Sequence, residues 1–156
     1  MQSCLKYVNV GSSGYVLKSN GANVKPSFQA DVKSVQMVAI DFATSCTAGD
    51  GKFYLHVPAS LNNMNLTSVH AYNVTAGITD TMDIQIANVT DAVDMLSTKI
   101  TIDTGENGSD TAAIPAVIDA TKDDVATNDI LRIDIDAIHS GTAAKGLIVT
   151  LEFALP

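Results

Sequence analysis

Tryptophan is absent from this 156-residue chain, and aromatic side chains make up only 5% of it. Enzymes that grip sugars present aromatic platforms, so their commonest device is missing. Charge is also scarce, at 17% of residues. A surface poor in charge but rich in Thr, Asn and Ser suits a subunit that sits against neighbours. Nine Lys and Arg face seventeen Asp and Glu, for a net charge of −8 and a pI near 4.5. Such a chain repels phosphate backbones, and its few cations are dispersed, so no nucleic-acid partner is expected. No apolar run is long enough to span a bilayer, so no membrane partner is expected. The opening Met1-Gln2-Ser3-Cys4-Leu5-Lys6-Tyr7 lacks a basic start and an apolar stretch. The expectation is a protein that stays where it is made or leaves inside a larger particle. Two cysteines cannot build a disulfide framework; Cys4 and Cys46, the latter in a polar loop, are expected as free thiols.

What remains is strand pattern. Hydrophobic residues make up 46% of the chain, enough for one core, and the packing falls to β-branched side chains that fit a pleated surface. Alternation predicts eight strands after about residue 35. Val38, Ile40 and Phe42 share one face. Phe53, Leu55 and Val57 follow the turn Gly49-Asp50-Gly51. Val69, Ala71 and Asn73 alternate with Ser68, His70 and Tyr72. Ile84 and Ile86, then Ile100 and Ile102, mark two more. Ala113 to Asp119 is a weaker strand whose Pro115 suits an edge. Leu131, Ile133 and Ile135 alternate with Arg132, Asp134 and Asp136. Leu147, Val149, Leu151 and Phe153 close the series. Asp91 to Leu96 has room for one helical turn. Strands with one apolar face and loops of 6 to 10 residues predict an all-β fold. Its expected form is an eight-stranded antiparallel β-sandwich (jelly roll) over residues 32–156, with an extended N-terminal arm over 1–31. The arm is too short for a core of its own and is expected to be ordered by docking.

No catalytic constellation is read, and the expectation is a non-enzyme with no cofactor and no metal site. His56 and His70 lie on polar faces of successive strands; a hairpin centred near Asn63 would set them side by side, with His139 unplaced. The loop Asp103 to Asp110 partly mimics a calcium loop, but the twelfth position is Ile114 where a bidentate Glu is required. Asp134 and Asp136 share a face, as a glycosidase pair would, and a solvated strand face is expected instead. The triplets beginning at Asn65, Asn73, Asn88 and Asn107 fit glycosylation only on a secretory path.

Gly11-Ser12-Ser13-Gly14-Tyr15-Val16-Leu17-Lys18-Ser19-Asn20-Gly21-Ala22, followed by Pro26-Ser27-Phe28-Gln29-Ala30, resembles a segment of tailed-bacteriophage virion-surface proteins. The stretches Gly49-Asp-Gly-Lys-Phe-Tyr, Met64-Asn-Leu-Thr-Ser-Val-His and Asp129-Ile-Leu-Arg-Ile-Asp resemble, more loosely, a β-sandwich module of phage structural proteins. The resemblance implies a homotrimeric subunit on the virion exterior, made in the host cytoplasm. It would serve as a capsid decoration (cement) or head-fibre protein, touching itself and the major capsid or another virion protein. Tyr7, Val8, Val10, Tyr15, Val16, Leu17 and Phe28 would form the assembly arm. The alternative is a tail-fibre or tail-tip domain whose loops carry Asn62, Asn63, Asn65, Thr79, Asp80, Glu106 and Asn107 to a host cell-surface glycan or protein.

Overall fold

The computed structural model describes residues 14–156. The expectations for Cys4, Tyr7, Val8 and Val10 fall outside the described residues. Thirteen strands and one short 3-10 turn (Ala59–Leu61) make up the regular structure, with no α-helix among the described residues. The strands are β1 (Tyr15–Lys18), β2 (Ser27–Ala30), β3 (Lys33–Ser45), β4 (Gly49–His56) and β5 (Met64–Thr75). Next come β6 (Met82–Asn88), β7 (Val93–Asp94), β8 (Leu96–Thr98) and β9 (Ile100–Ile102). The last four are β10 (Val117–Ile118), β11 (Asp124–Val125), β12 (Ile130–Ala137) and β13 (Lys145–Ala154).

The fold is all-β and antiparallel. One sheet runs β11-β5-β13-β3, and the other runs β4-β12-β6-β7 with β9 also on β6. A single apolar cluster draws on both. Met37, Leu66, Ala71, Val149, Leu151 and Phe153 come from the first sheet, and Ile84, Ile86, Leu131, Ile133 and Ile135 from the second. Aliphatic side chains fill this layer as the composition requires, each fully buried one contributing about 1.5–3 kcal/mol. β6 is buried on nearly every residue, unlike the half-exposed pattern expected of it. Gln85 lies where the neighbouring edge passes from β7 to β9; its Nε2 donates to the Leu96 carbonyl at 3.1 Å, and its own Oε1 accepts from Ile86 N at 2.9 Å.

All eight expected strands have a counterpart, and the departures have local causes. β3 presents Met37 and Ala39 inward while Val38 and Phe42 are exposed; of the face expected to be apolar and buried, only Ile40 packs against the core. The register of β13 on β3 shifts at Lys145/Leu147 and again at Leu147/Ile148. Such bulges reverse which face a strand buries. Gly49 and Gly51, expected in a turn, lie inside β4 at positive φ, and the β12–β4 register shifts beside them. The weak strand expected over Ala113 to Asp119 contracts to the two residues of β10, paired with β8. No helical turn forms over Asp91 to Leu96: the chain turns at Ala92 (φ 55°) and then pairs as β7. Cys46 is not in a solvated loop. It is a free, buried thiol inside the core, pushed upward in pKa by burial and partly offset by Lys52.

The described part of the arm is a hairpin. β1 pairs with β2, Leu17 opposite Phe28 and Tyr15 opposite Ala30. At its base Asp31 N donates to the Gly14 carbonyl at 3.0 Å, and Gly14 lies so close to Leu155 that a Cβ there would stand 2.5 Å from the Leu155 Cβ.

Candidate functional site

The loop residues singled out from sequence separate to opposite ends of β5, a strand of about 40 Å at roughly 3.3 Å per residue. At its start, Asn62 Oδ1 accepts from Thr127 N at 2.9 Å, and Asn65 Nδ2 donates to Asp123 Oδ1 at 3.1 Å. Asn63, at φ 60°, donates its backbone N–H to the Val125 carbonyl at 3.0 Å. Past its far end, Thr79 and Asp80 turn the chain at positive φ; Thr79 N donates to Thr104 Oγ1 at 2.7 Å, and Ser140 donates to the Asp80 carboxylate. Glu106 accepts from Thr111, and Asn107 Nδ2 donates to the Asn73 carbonyl at 2.8 Å. These polar groups hold turns to neighbouring segments. In the hairpin, Tyr15, Val16 and Leu17 are exposed and Phe28 is half-buried.

The remaining polar candidates also find structural partners. His56 and His70 are not neighbours, because β4 and β5 belong to different sheets. His56 Nε2 pairs with Asn128 Oδ1 at 3.2 Å. His139 is buried, and neither ring nitrogen has a hydrogen-bond partner among the described residues. The Asp134–Asp136 face is not solvated throughout. Asp134 is buried, accepts from Gly51 N at 2.7 Å and from Arg132 Nη2 at 2.8 Å, while Asp136 pairs with Lys99 Nζ at 2.7 Å. Around the expected calcium-like loop, Asp103 Oδ2 accepts from Ala113 N at 2.8 Å and Gly108 bridges to Tyr72. Among the described residues no three His, Cys, Asp or Glu side chains cluster as metal ligands. Asn73 and Asn88 are fully buried, which closes two of the four glycosylation triplets.

One surface region gathers chemistry that the sequence reading missed. β11 covers the edge of β5 only at Met64 and Asn65. Further along, the segment Asn107–Ser109 covers that same edge: Asn73 N donates to Asn107 O at 2.7 Å, and Ser109 N donates to Ala71 O at 3.0 Å. Between these two covers lies an open groove of about 770 Å³. Ser68, His70 and Asp110 line its polar side, and Pro115, Ala116, Val117 and Ile118 its apolar side. Ser68 and His70 are two apart on one strand and so project from the same face. Ser68 Oγ stands 2.9 Å from His70 Nε2, and His70 Nδ1 stands 2.8 Å from Asp110 Oδ1. An ionised carboxylate only accepts, so Nδ1 carries the proton toward Asp110. In the tautomer with its proton on Nδ1, Nε2 is the acceptor and the Ser68 hydroxyl donates to it.

A smaller recess of about 270 Å³ adjoins it, sharing His70 and Asp110 and adding Gln36, Tyr72, Ile148 and Thr150. Beside these polar groups the outer face of the sheet also carries apolar side chains. Val38 and Tyr72 both stand opposite Ile148 across β13, and each is about half exposed, at 46% and 51%. Phe42 and Val74 extend the patch; both approach Gly146, a Cβ on which would stand 2.8 Å from the Phe42 Cα and 3.0 Å from a Val74 methyl. No family model, no curated protein and no solved structure matches this chain.

Proposed function

We propose that this chain is a bacteriophage virion-exterior subunit, a homotrimeric jelly roll that stabilises the particle through contacts with its copies and with the capsid. The observation that carries this reading is the outward-facing apolar patch Val38, Phe42, Tyr72 and Val74 on a chain with few charges. Exposed apolar area of this kind marks interaction surfaces, and covering each half-exposed side chain contributes about 1 kcal/mol. Strand pairing supports the jelly roll. β3 pairs with β13, β4 with β12, β5 with β11 and β6 with β7, the pattern of one long ribbon folded at its middle and rolled up. β3, long and at the sheet edge, and the exposed β1–β2 hairpin offer strand and side-chain contacts to neighbours.

Light scattering on the intact chain tests the assembly: a trimer mass is expected, and a monomer at micromolar concentration overturns it. A second reading, a receptor-binding fibre tip, draws on the two adjoining recesses around His70 and Asp110. Adding the purified chain to host cells before infection separates the two. Blocked adsorption selects the fibre tip; capsids that burst more readily without the chain select decoration.

A further inference from the structure

We propose that Ser68, His70 and Asp110 form a serine-type acyl-transfer site that cleaves esters of short acyl groups, an activity beyond assembly. The distances of 2.9 Å and 2.8 Å make a continuous relay from hydroxyl to imidazole to carboxylate, and the proton positions derived above leave Nε2 free to accept the serine proton. Asp110 fixes the tautomer and steadies the imidazolium that forms. The relay opens on a groove with room for substrate, whose Pro115–Ile118 side is apolar and suits an acyl chain.

A backbone donor adjoins the nucleophile. In an antiparallel ladder alternate residues aim both N–H and C=O to the same side. Ala71 aims both at Ser109, away from β13: its N–H reaches Ser109 Oγ at 3.0 Å and its carbonyl accepts from Ser109 N at 3.0 Å. Val69, two residues earlier, therefore aims its N–H to that side as well, at the uncovered stretch of edge where the groove lies. The amide following the nucleophile serves as an oxyanion donor in serine hydrolases.

The reaction balances without a cofactor. Ser68 Oγ bonds to the ester carbonyl carbon as its proton passes to His70 Nε2. The carbon–oxygen bond to the alcohol breaks, and that alcohol leaves with the proton from Nε2. Water then adds to the acyl-serine, giving a proton to Nε2; the bond to Oγ breaks and Oγ recovers the proton. Ester and water become acid and alcohol. Exposure of the imidazole and a single backbone donor hold the expected gain to base catalysis, about 10²-fold.

The test uses the intact chain with p-nitrophenyl acetate and, separately, a fluorophosphonate read by peptide mass spectrometry. Hydrolysis about 10²-fold faster than in Ser68→Ala is expected. The phosphonyl adduct is expected on Ser68, absent in His70→Ala, and unchanged in Ser34→Ala, with circular dichroism confirming that each variant is folded. Equal rates for the intact chain and Ser68→Ala overturn the proposal, as does failure of the fluorophosphonate to mark Ser68. The site is complete within one chain, so a monomer mass leaves it standing and an inert serine leaves the trimer standing.

Discussion

Gly77 lies against the ring of buried His139, and a Cβ there would stand 2.2 Å from its Cγ and Nδ1. The ring cannot yield easily, because the core around it is close-packed. Gly77→Ala is expected to lower stability by about 1–3 kcal/mol in urea unfolding. Combined with His139→Ala, the same change should cost measurably less, since the two side chains share one space. At the surface, Asp119 is held down from 3.8 to about 2, first by the Thr121 hydroxyl, then by the Thr121 backbone N–H and by Lys122. Its folded value lies below the unfolded one, so its support is complete above the unfolded value and is lost as pH falls from about 4 toward 2. Carboxyl NMR should place its midpoint near 2, and Thr121→Ala should move it up.

At the scale of elements, bulges decide which side chains face the solvent. Gly146 has φ 63° and sits where β13 slips against β3. Ala there meets both backbone strain and the Phe42 backbone, so Gly146→Ala is expected to destabilise by about 2–3 kcal/mol, read as a shift of the denaturation midpoint. The β1–β2 hairpin pairs chiefly with itself and carries exposed apolar residues. A chain beginning at Val32 should therefore unfold within about 1 kcal/mol of the intact one, while associating more weakly. Hydrogen exchange and light scattering check the two halves of that expectation.

Across the whole molecule, the outer patch of the β5-β13-β3 face is the proposed place of assembly. Val38→Lys puts a charge at its centre. The variant should keep its unfolding midpoint within about 0.5 kcal/mol, because the position is already half exposed, and should shift toward monomer in sedimentation. Self-association of the unaltered chain should persist at high salt, since apolar contacts are not screened as ion pairs are.

The sequence by itself determined that the chain is all-β and antiparallel, and where its six longest strands, β3, β4, β5, β6, β12 and β13, lie. Period-two patterning is local, and local patterning is legible in one dimension. Only the tertiary structure decided which face of β3 is buried, because a one-residue slip against β13 reverses it. It also decided that Asp134 is buried against Arg132, and that Asn73, read on a face with Val69 and Ala71, is fully enclosed. Ser68 and His70 were legible as neighbours on one strand face. Asp110, 40 residues beyond His70, joins them only because the loop after β9 folds back along the edge of β5. Sequence spacing carries no trace of such a contact, since it depends on the path of a loop and not on the pattern of a strand.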